Sequence, residues 1–287
     1  MSEPRVDDII RIALEEDRAY DDLTSGLVAG REAECSAFIL AKQRGVISGH
    51  RYAEKTFHIL DDGLEYSRLA EDGERIGPGD RVAGIRGRAV SIMAAERTAL
   101  NFLGHLSGIA TLTATFTRKL SGTGITVLDT RKTTPGLREA EKKAVRDGGG
   151  SNHRMNLADY ILVKENHIKA AGGLAGVVRR LGGRLAEAEI EVDSLEMLRE
   201  LLNNPPGRIM LDNFTPEMVA EAVSEIEKSG AGRPEIEISG GITLDTIGEY
   251  AVKGVDFISV GLITTSAPAL DLSLILDQLN GGLIDNR

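Results

Sequence analysis

The stretch that decides the fold is Val127–Gly136, with the sequence VLDTRKTTPG. The apolar run from Ile125 to Leu128 predicts a buried strand, and the Pro-Gly pair at the end of the stretch marks a turn into a helix. Segment 129–132 lies between the two and carries Arg131 and Lys132. Two cations at the carboxyl end of a strand indicate an anion-binding site.

The same order of strand, polar tip and helix repeats to the end of the chain. The predicted strands are Ile125–Leu128, Tyr160–Val163, Glu189–Val192, Arg208–Leu211, Glu235–Ile238 and Phe257–Val260. Helices are predicted over 137–146, 172–181, 194–202, 216–228, 244–252 and 269–279. This rhythm predicts parallel α/β architecture, either an α/β barrel or an open doubly wound sheet. The chain has no Gly-x-Gly-x-x-Gly after an early strand and no P-loop, which disfavours the nucleotide-binding open sheets.

The first third of the chain has a different pattern, typical of helices with a mostly antiparallel sheet. Helices are predicted over 7–17 and 50–60, and strands over 33–40, 64–69 and 81–93. A long helical pattern then covers 94–120, with a break expected near Gly104 or Gly108. Glu96 and Arg97 lie in its first turn, where such a pair is usually solvated.

Composition and charge exclude several classes of protein. The net charge of −10 argues against a general nucleic-acid or anionic-membrane surface. Residues 129–169 nevertheless carry nine Lys/Arg and six Asp/Glu, a local +3 that leaves −13 for the rest. Such an island suggests a small anionic ligand, although chance clustering on a solvated helix would look the same. No transmembrane helix or signal peptide is expected, and the single Cys35 favours a reducing cytoplasm.

Charged residues follow four successive predicted strands. These tips are segment 129–132, Lys164, Glu191 and Asp212. In a barrel, the carboxyl ends of all strands open onto one face, where barrel enzymes build their sites. We therefore expect one pocket for a phosphorylated sugar and a small dicarboxylic acid.

The last two tips are small instead of charged. Ser239-Gly240-Gly241 and Gly261 each precede a predicted turn or helix, where glycine lets backbone N–H groups approach a phosphate. Barrel phosphate sites commonly lie after the last two strands. Between the first two tips, His153 and Arg154 follow three glycines and could donate hydrogen bonds to a carboxylate.

Five long motifs in this chain closely resemble quinolinate phosphoribosyltransferase. They are Glu96–Leu103 (ERTALNFL), Leu106–Ala110 (LSGIA), Leu128–Arg138 (LDTRKTTPGLR), Gly148–Met155 (GGGSNHRM) and Leu162–Ile168 (LVKENHI). The resemblance covers essentially the whole chain. It implies an α/β sandwich domain over 1–108, with mostly antiparallel sheet, and an incomplete parallel α/β barrel of about seven strands over 109–268. A C-terminal helix over 269–287 is expected to return to the first domain.

The resemblance also implies site residues. Arg131, Lys132, Thr133, His153, Arg154 and Lys164 match residues that hold quinolinate and diphosphate, and Ser239, Gly240, Gly241 and Gly261 match the cradle for the 5′-phosphate. Glu191 and Asp212 match the acidic pair that faces the ribose and Mg²⁺, directly or through water or substrate. Lys132, Lys164, Glu191 and Asp212 are the expected catalytic residues. Arg97 matches an arginine that completes the neighbouring site in a homodimer or a multiple of dimers.

Three alternatives stay open. A paralogous phosphoribosyltransferase associated with molybdenum transport shares the fold and the Thr-Arg-Lys-Thr stretch. A Schiff-base aldolase could use a lysine such as Lys164, but it would need an apolar pocket around that lysine. A non-catalytic metabolite sensor would keep the anion pocket.

Overall fold

Two compact units make up the fold in the computed structural model, which describes residues 6–30, 32–230 and 232–280. The helices are α1 Val6–Glu16, α2 Leu23–Val28, α3 His50–Leu60, α4 Ala89–Lys119, α5 Arg138–Asp147, α6 Glu165–Ala171, α7 Leu174–Leu181, α8 Leu195–Leu201, α9 Pro216–Lys228 and α10 Leu262–Thr265. The strands are β1 Glu34–Ala41, β2 Gly45–Val46, β3 Glu65–Arg68, β4 Arg75–Ile76, β5 Arg81–Arg88, β6 Thr126–Leu128, β7 Ile161–Val163, β8 Ala188–Val192, β9 Arg208–Asp212, β10 Glu235–Ser239, β11 Phe257–Ser259 and β12 Leu272–Asn280.

The first unit comprises the described residues of 1–112, 134–149 and 267–287, and the second those of 113–133 and 150–266. Helix α5 therefore belongs to the first unit, although it lies in sequence between two strands of the second.

An antiparallel sheet in the order β12-β1-β5-β3 forms the centre of the first unit. Alternate residues of β1 are buried, as expected for a strand with one face on a core. These residues pack with Phe57 of α3 and with Ile92, Ala99 and Leu103 of α4. The predicted first domain of helices and antiparallel sheet is confirmed.

The predicted C-terminal helix is wrong over 272–280, where the chain forms β12. This strand pairs antiparallel with β1, from Ala41 opposite Leu272 to Glu34 opposite Asn280. Leu272 is buried and Ile275 is exposed, which is the alternation of a strand. Pairing with β12 also gives the backbone N–H and C=O groups along the second edge of β1 their hydrogen-bond partners. Residues 281–287 lie outside the described part.

Helix α4 begins at Ala89 and continues to Lys119, so the predictions of a strand through residue 93 and of a break near Gly104 or Gly108 are wrong. The two glycines serve another purpose. A Cβ on Gly108 would lie 2.1 Å from the carbonyl oxygen of Pro268. Leu270 donates its backbone N–H to the Gly104 carbonyl at 2.9 Å. Glycine thus lets the segment that leads into β12 cross the helix at close range.

Six parallel strands form the sheet of the second unit, in the order β6-β11-β10-β9-β8-β7. Ser151 adds a single parallel bridge to Leu128 at the β6 edge. The predicted class, an antiparallel domain followed by a parallel α/β domain, is confirmed, and all six predicted strands of the second part are present within about a residue or two. The structure has six strands in this sheet among the described residues, against about seven expected.

Two predicted helices of the second unit differ in detail. The helix expected over 172–181 is preceded by another, α6, because Gly172 and Gly173 both have positive φ values, 81° and 103°, and end that helix. Only a short 3₁₀ turn, Ile247–Tyr250, forms where a helix was expected over 244–252. There, the Thr246 backbone N–H bonds to the Thr243 hydroxyl at 3.3 Å, a local bond that competes with helix formation.

Within the described residues, none of the helices has the combination of length and apolar character that crossing a bilayer requires.

Candidate functional site

A cavity of about 560 Å³ opens where the strands of the parallel sheet end. It lies wholly in the second unit. The residues that line it are Asp129, Thr130, Arg131, Lys132, His153, Arg154, Leu162, Lys164, Glu191, Met210, Asp212, Asn213, Ser239, Gly240, Gly241 and Ser259. The tips of six parallel strands therefore meet at one edge, as the barrel pattern predicted.

Ten of the predicted site residues line this cavity. They are Arg131, Lys132, His153, Arg154, Lys164, Glu191, Asp212, Ser239, Gly240 and Gly241. The lining does not include Thr133, which follows the lining residue Lys132, or Gly261, which lies two residues after the lining residue Ser259. A Cβ on Gly261 would lie 3.3 Å from Cδ of Lys132, so this glycine leaves room for the lysine side chain. Arg97 is exposed on α4, in the first unit.

Four Lys and Arg side chains give the cavity its cationic side. Burial lowers the pKa of Arg154, and the charge of Arg131 lowers it further. The two guanidinium groups belong to lining residues of the same cavity, and their like charges repel each other. An anion bound between them would relieve that repulsion.

Lys164 and Glu191 form an ion pair inside the cavity. The lysine stands at the end of β7, and its backbone N–H bonds to Nδ1 of His167 at 3.0 Å, which fixes the start of α6. Its ammonium group also lies 3.9 Å from Sδ of Met210. The ion pair therefore joins the ends of β7 and β8 within the cavity.

Glu191 and Asp212 are an acidic pair on the neighbouring strands β8 and β9. Burial raises the pKa of Asp212, and the negative charge of Glu191 raises it further. Asn213 donates its side-chain amide to Oδ2 of Asp212 at 2.7 Å and so holds this carboxylate in place. Two carboxylates whose charges repel are a donor set of the kind that a hard divalent cation binds.

Asp129 organises the loop that carries His153 and Arg154. Its carboxylate is fully buried and accepts from the side-chain amide of Asn152 at 2.6 Å and from the backbone N–H of His153 at 2.9 Å. Ser151 bridges to β6 just before these contacts. Asp129 therefore ties the tip of β6 to this loop.

His153 reaches from the cavity wall to two buried glutamates. Its Nε2 lies 2.8 Å from Oε2 of Glu189 and 3.5 Å from Oε2 of Glu237. Burial of the ring opposes protonation, but these two carboxylates outweigh it and raise the pKa of His153 to about 9. The backbone N–H of Arg154 also points at Nδ1, at 2.7 Å. The N–H dipole of Arg154 favours the neutral ring, whereas the carboxylates of Glu189 and Glu237 favour the protonated ring. The effect of the two carboxylates is the larger.

Gly240 is required by a close approach of two strand tips. Its φ is 98°, and a Cβ there would lie 2.8 Å from the backbone nitrogen of Asn213. Asn213 itself has a positive φ of 58° and donates its N–H to the Ser239 carbonyl at 2.8 Å. At Gly241, by contrast, the space for a Cβ is open. The glycine pair thus presents bare backbone to the cavity.

Sequence reasoning did not propose several of the side chains at this site. Beyond the lining, these are Glu189 and Glu237, both fully buried. A signal was present, since two glutamates alternate with apolar residues in each of the strands β8 (AEIEV) and β10 (EIEIS). A charge buried within a parallel sheet would be costly without a partner. The lining residues not proposed as binding are Asp129, Thr130, Leu162, Met210, Asn213 and Ser259.

Known proteins resemble this chain along most of its length. The family model described as quinolinate phosphoribosyl transferase, N-terminal domain, matches residues 22–107, and the model of the C-terminal domain matches residues 109–275. The probable nicotinate-nucleotide pyrophosphorylase (carboxylating) of Bacillus subtilis is 38% identical over 262 residues, 90% of this chain and 89% of the relative. The protein of the same name from Archaeoglobus fulgidus is 42% identical over 258 residues, 89% of this chain and 98% of the relative.

A solved structure agrees with the sequence relatives. The nicotinate-nucleotide pyrophosphorylase from Francisella tularensis superposes with a TM-score of 0.85 at 37% identity, over 95% of this chain and 96% of that one. The C-terminal family model, residues 109–275, covers the parallel sheet and its cavity. This chain therefore belongs to the quinolinate phosphoribosyl transferase family.

Proposed function

We propose that this protein transfers the phosphoribosyl group of phosphoribosyl diphosphate to the ring nitrogen of quinolinate, giving nicotinate mononucleotide, diphosphate and carbon dioxide. It is a pentosyltransferase of NAD biosynthesis. One observation carries this conclusion: a single cavity combines four Lys and Arg side chains with the acidic pair Glu191 and Asp212.

The cationic side chains would bring the two negatively charged substrates together. Quinolinate and phosphoribosyl diphosphate are both polyanions and repel each other, so a positive field must bring them together. A guanidinium binds a planar carboxylate through two parallel hydrogen bonds, which would orient the quinolinate ring on Arg131 and Arg154. His153, adjacent to Arg154, would add positive charge to the same wall.

The acidic pair would stabilise the positive charge that develops on the sugar during the transfer. As diphosphate leaves, the sugar carbon C1 gains positive, oxocarbenium-like character, which the carboxylates of Glu191 and Asp212 would stabilise. Lys132 and Lys164 would offset the negative charge that develops on the departing diphosphate. The reaction needs no protein nucleophile, since the quinolinate nitrogen attacks C1.

Mg²⁺ fits the donor set at this point. Glu191 and Asp212 supply carboxylate oxygens from adjacent strands. Burial and then the negative charge of Glu191 raise the pKa of Asp212, and a cation would compensate that repulsion. Held there by Glu191 and Asp212, directly or through water or substrate, Mg²⁺ would neutralise negative charge on the diphosphate.

Decarboxylation follows from the product of the transfer. Once nitrogen is bonded to C1 it is cationic, so the ring can hold the electron pair left when the adjacent carboxylate departs as carbon dioxide. A proton then replaces the carboxylate on the ring carbon. The site needs only to favour the less charged transition state of this step.

The glycine tips would bind the 5′-phosphate of the sugar. Ser239, Gly240 and Gly241 line the cavity with a hydroxyl group and backbone amides. Gly261 supports the same region by leaving space for Lys132, whose carbonyl accepts from the Thr264 hydroxyl at 2.7 Å. Thr133 follows Lys132 directly and would contribute through its backbone and hydroxyl group.

We further propose that the working protein is a homodimer or a multiple of dimers, in which Arg97 completes the site of the neighbouring subunit. The exposure of Arg97 on α4 supports this role. A cytoplasmic location is the companion proposal, supported by the single cysteine, Cys35, which is buried as a free thiol.

Two competing activities are less well supported. The names of the relatives do not favour the molybdenum-transport paralogue. A Schiff-base lysine must lose its proton to attack a carbonyl, whereas Lys164 is paired with Glu191 among other charged groups.

The test is release of carbon dioxide from quinolinate labelled in the carboxylate next to the ring nitrogen. We expect release only when phosphoribosyl diphosphate and Mg²⁺ are both present, with nicotinate mononucleotide formed in equal amount. Omission of the sugar diphosphate and addition of EDTA are the controls. Release without the sugar diphosphate, or none under full conditions, would contradict the proposed function.

A further inference from the structure

We propose that Glu189 and Glu237 are positioning residues for substrate binding: together they hold the His153 imidazole, and with it the wall of the cavity that takes the carboxylates of quinolinate. This inference rests on the proposed function, because it gives His153 a quinolinate-binding role. It assigns a purpose to two charged residues that do not line the cavity.

The two glutamates lie one layer below the cavity floor. Side chains two residues apart on a strand point to the same side, so Glu189 lies beneath Glu191 on β8 and Glu237 beneath Ser239 on β10. Glu191 and Ser239 line the cavity, whereas Glu189 and Glu237 are both 0% exposed. The sheet therefore places a buried carboxylate layer directly under the binding layer.

Hydrogen bonds join this layer into one cluster. Nε2 of His153 donates to Glu189 at 2.8 Å and lies 3.5 Å from Glu237. Nη1 of Arg208 donates to Glu237 at 3.0 Å, and the Ser259 hydroxyl donates to the other oxygen of the same carboxylate. Nε2 of His153 carries a proton in the charged ring and also in the neutral tautomer whose Nδ1 is unprotonated. The hydrogen bond from Nε2 to Glu189 can therefore form whether or not the ring is charged.

The cluster holds the imidazole from more than one side. Its Nε2 edge meets the carboxylates, while the backbone N–H of His153 is bonded to the buried Asp129. The ring packs edge-on against Tyr160, with centroids 5.9 Å apart. Nδ1 of the ring accepts from the backbone N–H of Arg154 at 2.7 Å. An imidazole held in this way therefore also fixes the backbone of Arg154, a residue that lines the cavity, and this part of the wall loses little freedom when a ligand binds.

Stability alone does not account for the pair. Burying two carboxylates is costly, and well-packed apolar residues often serve a core equally well or better. Oε1 of Glu189 is buried without a hydrogen-bond partner, so this glutamate is not an optimised structural contact. Its other oxygen, Oε2, accepts from His153, so the contact with His153 is what this glutamate provides.

A metal site is the competing interpretation of the same three side chains, whose ligand atoms lie within 4.8 Å of one another. The bonds present argue against it. The Nε2 proton already occupies the space facing Glu189, and the Arg208 cation lies 3.0 Å from Glu237, where it would repel a second cation. The cluster is therefore an ion-paired support for His153.

The experiment compares Glu189→Gln and Glu237→Gln with the wild type in steady-state kinetics. Gln keeps the shape but removes the charge that holds the ring. We expect the KM for quinolinate to rise about tenfold or more, as for a weakened hydrogen bond to a charged group, with kcat and the KM for phosphoribosyl diphosphate within about threefold of wild type. A general structural defect would change all three.

Glu235→Gln is the matched control. Glu235 stands on the same strand as Glu237 and also accepts from Arg208, at 2.8 Å, but its side chain is 50% exposed and does not contact His153. We expect its KM for quinolinate to stay at the wild-type value. An equal rise in this control would show that the effect runs through Arg208 instead of His153.

A double-mutant cycle separates this inference from the proposed function. If Glu189 acts through His153, adding Glu189→Gln to His153→Ala should raise the KM for quinolinate no further. An unchanged KM in His153→Ala alone would refute the role of His153 in the proposed function. A raised KM in His153→Ala with an unchanged KM in Glu189→Gln and Glu237→Gln would refute the positioning role only.

Thermal unfolding of each variant completes the test. Folded Gln variants with the selective change in KM support the proposal. Failure of both variants to fold would overturn it, because the pair would then be needed for the fold and not for His153.

Discussion

At the scale of single residues, Lys164 is the cation whose contacts are clearest. It is partly exposed and pairs with Glu191, which is 13% exposed. Removing the lysine would leave that carboxylate unpaired in the cavity and remove one of the charges that gather the substrates. Arg131 also lines the cavity, so its removal would likewise take away positive charge that gathers the substrates.

We predict that Lys164→Ala and Arg131→Ala fold but lose turnover by about 100-fold or more, as when one preorganised charged contact is removed. Lys169→Ala is the control, since Lys169 is an exposed lysine of α6 that pairs with Glu165 and does not line the cavity. Steady-state assays with quinolinate and circular dichroism would measure both effects. Near-normal turnover in either cavity variant would show that the role assignment is wrong.

The raised pKa of His153 predicts that the stability of the folded protein depends on pH. This pKa is about 9 in the folded protein, above the ordinary value of about 6.5 expected on unfolding. A raised pKa stabilises the folded state fully below about pH 6.5, and this contribution is lost as pH rises through about 9. The contribution is on the order of 3 kcal/mol at most.

Urea unfolding at about pH 6 and about pH 9.5 would measure this effect. We expect the free energy of unfolding to fall more between these values in the wild type than in His153→Gln. His58→Gln is the control because His58 has no contact with the buried glutamates, and it should behave like the wild type. Parallel pH dependences in the wild type and His153→Gln would argue against a charged His153.

At the scale of elements, the crossing of α4 by the segment before β12 depends on glycine. Replacing a helical glycine with alanine ordinarily stabilises a helix by up to about 1 kcal/mol. At Gly108 the sign should reverse, because the added Cβ would lie 2.1 Å from the Pro268 carbonyl. We predict that Gly108→Ala destabilises the protein by about 1–3 kcal/mol, the usual cost of overpacking.

Gly26→Ala provides the comparison, since Gly26 lies in α2 and a Cβ there meets nothing within 4 Å. Thermal unfolding of both variants would suffice. If Gly108→Ala were as stable as Gly26→Ala, the close crossing of α4 would be wrong.

Element types were predictable where periodicity and length agreed. The six strands of the parallel sheet were read from short apolar runs, and α9 from its 13-residue pattern. The error at β12 has a physical cause: a short apolar run suits a helix or a strand, and the free edge of β1 decides between them. The error at residues 89–93 arose because the sequence pattern of β5 continues without a break into α4.

At the scale of the whole molecule, the proposed shared site makes a prediction about assembly. Arg97→Ala and Lys164→Ala should each be nearly inactive alone. In a dimer that contains one of each, one site has its own intact Lys164 and the intact Arg97 of its neighbour. Random mixing should therefore restore about one quarter of the wild-type rate, because half of the dimers are hybrids and each hybrid has one intact site.

Unfolding and refolding a mixture of the two variants, carrying different affinity tags, would isolate the hybrids for assay. Purified hybrids without activity would contradict a site that Arg97 completes across the subunit boundary.

The sequence by itself determined the strand tips and their charges. Local patterns place Arg131, Lys164, Glu191 and Asp212 at strand ends, and parallel strands bring those ends to one edge, so ten predicted residues meet in one cavity. Only the tertiary structure decided which side chains support them from below. The contact of His153 with Glu189 and Glu237 joins residues 36 and 84 positions apart, and no local pattern encodes such pairing. Burial in a shared core creates it, because charged groups removed from water must find one another there.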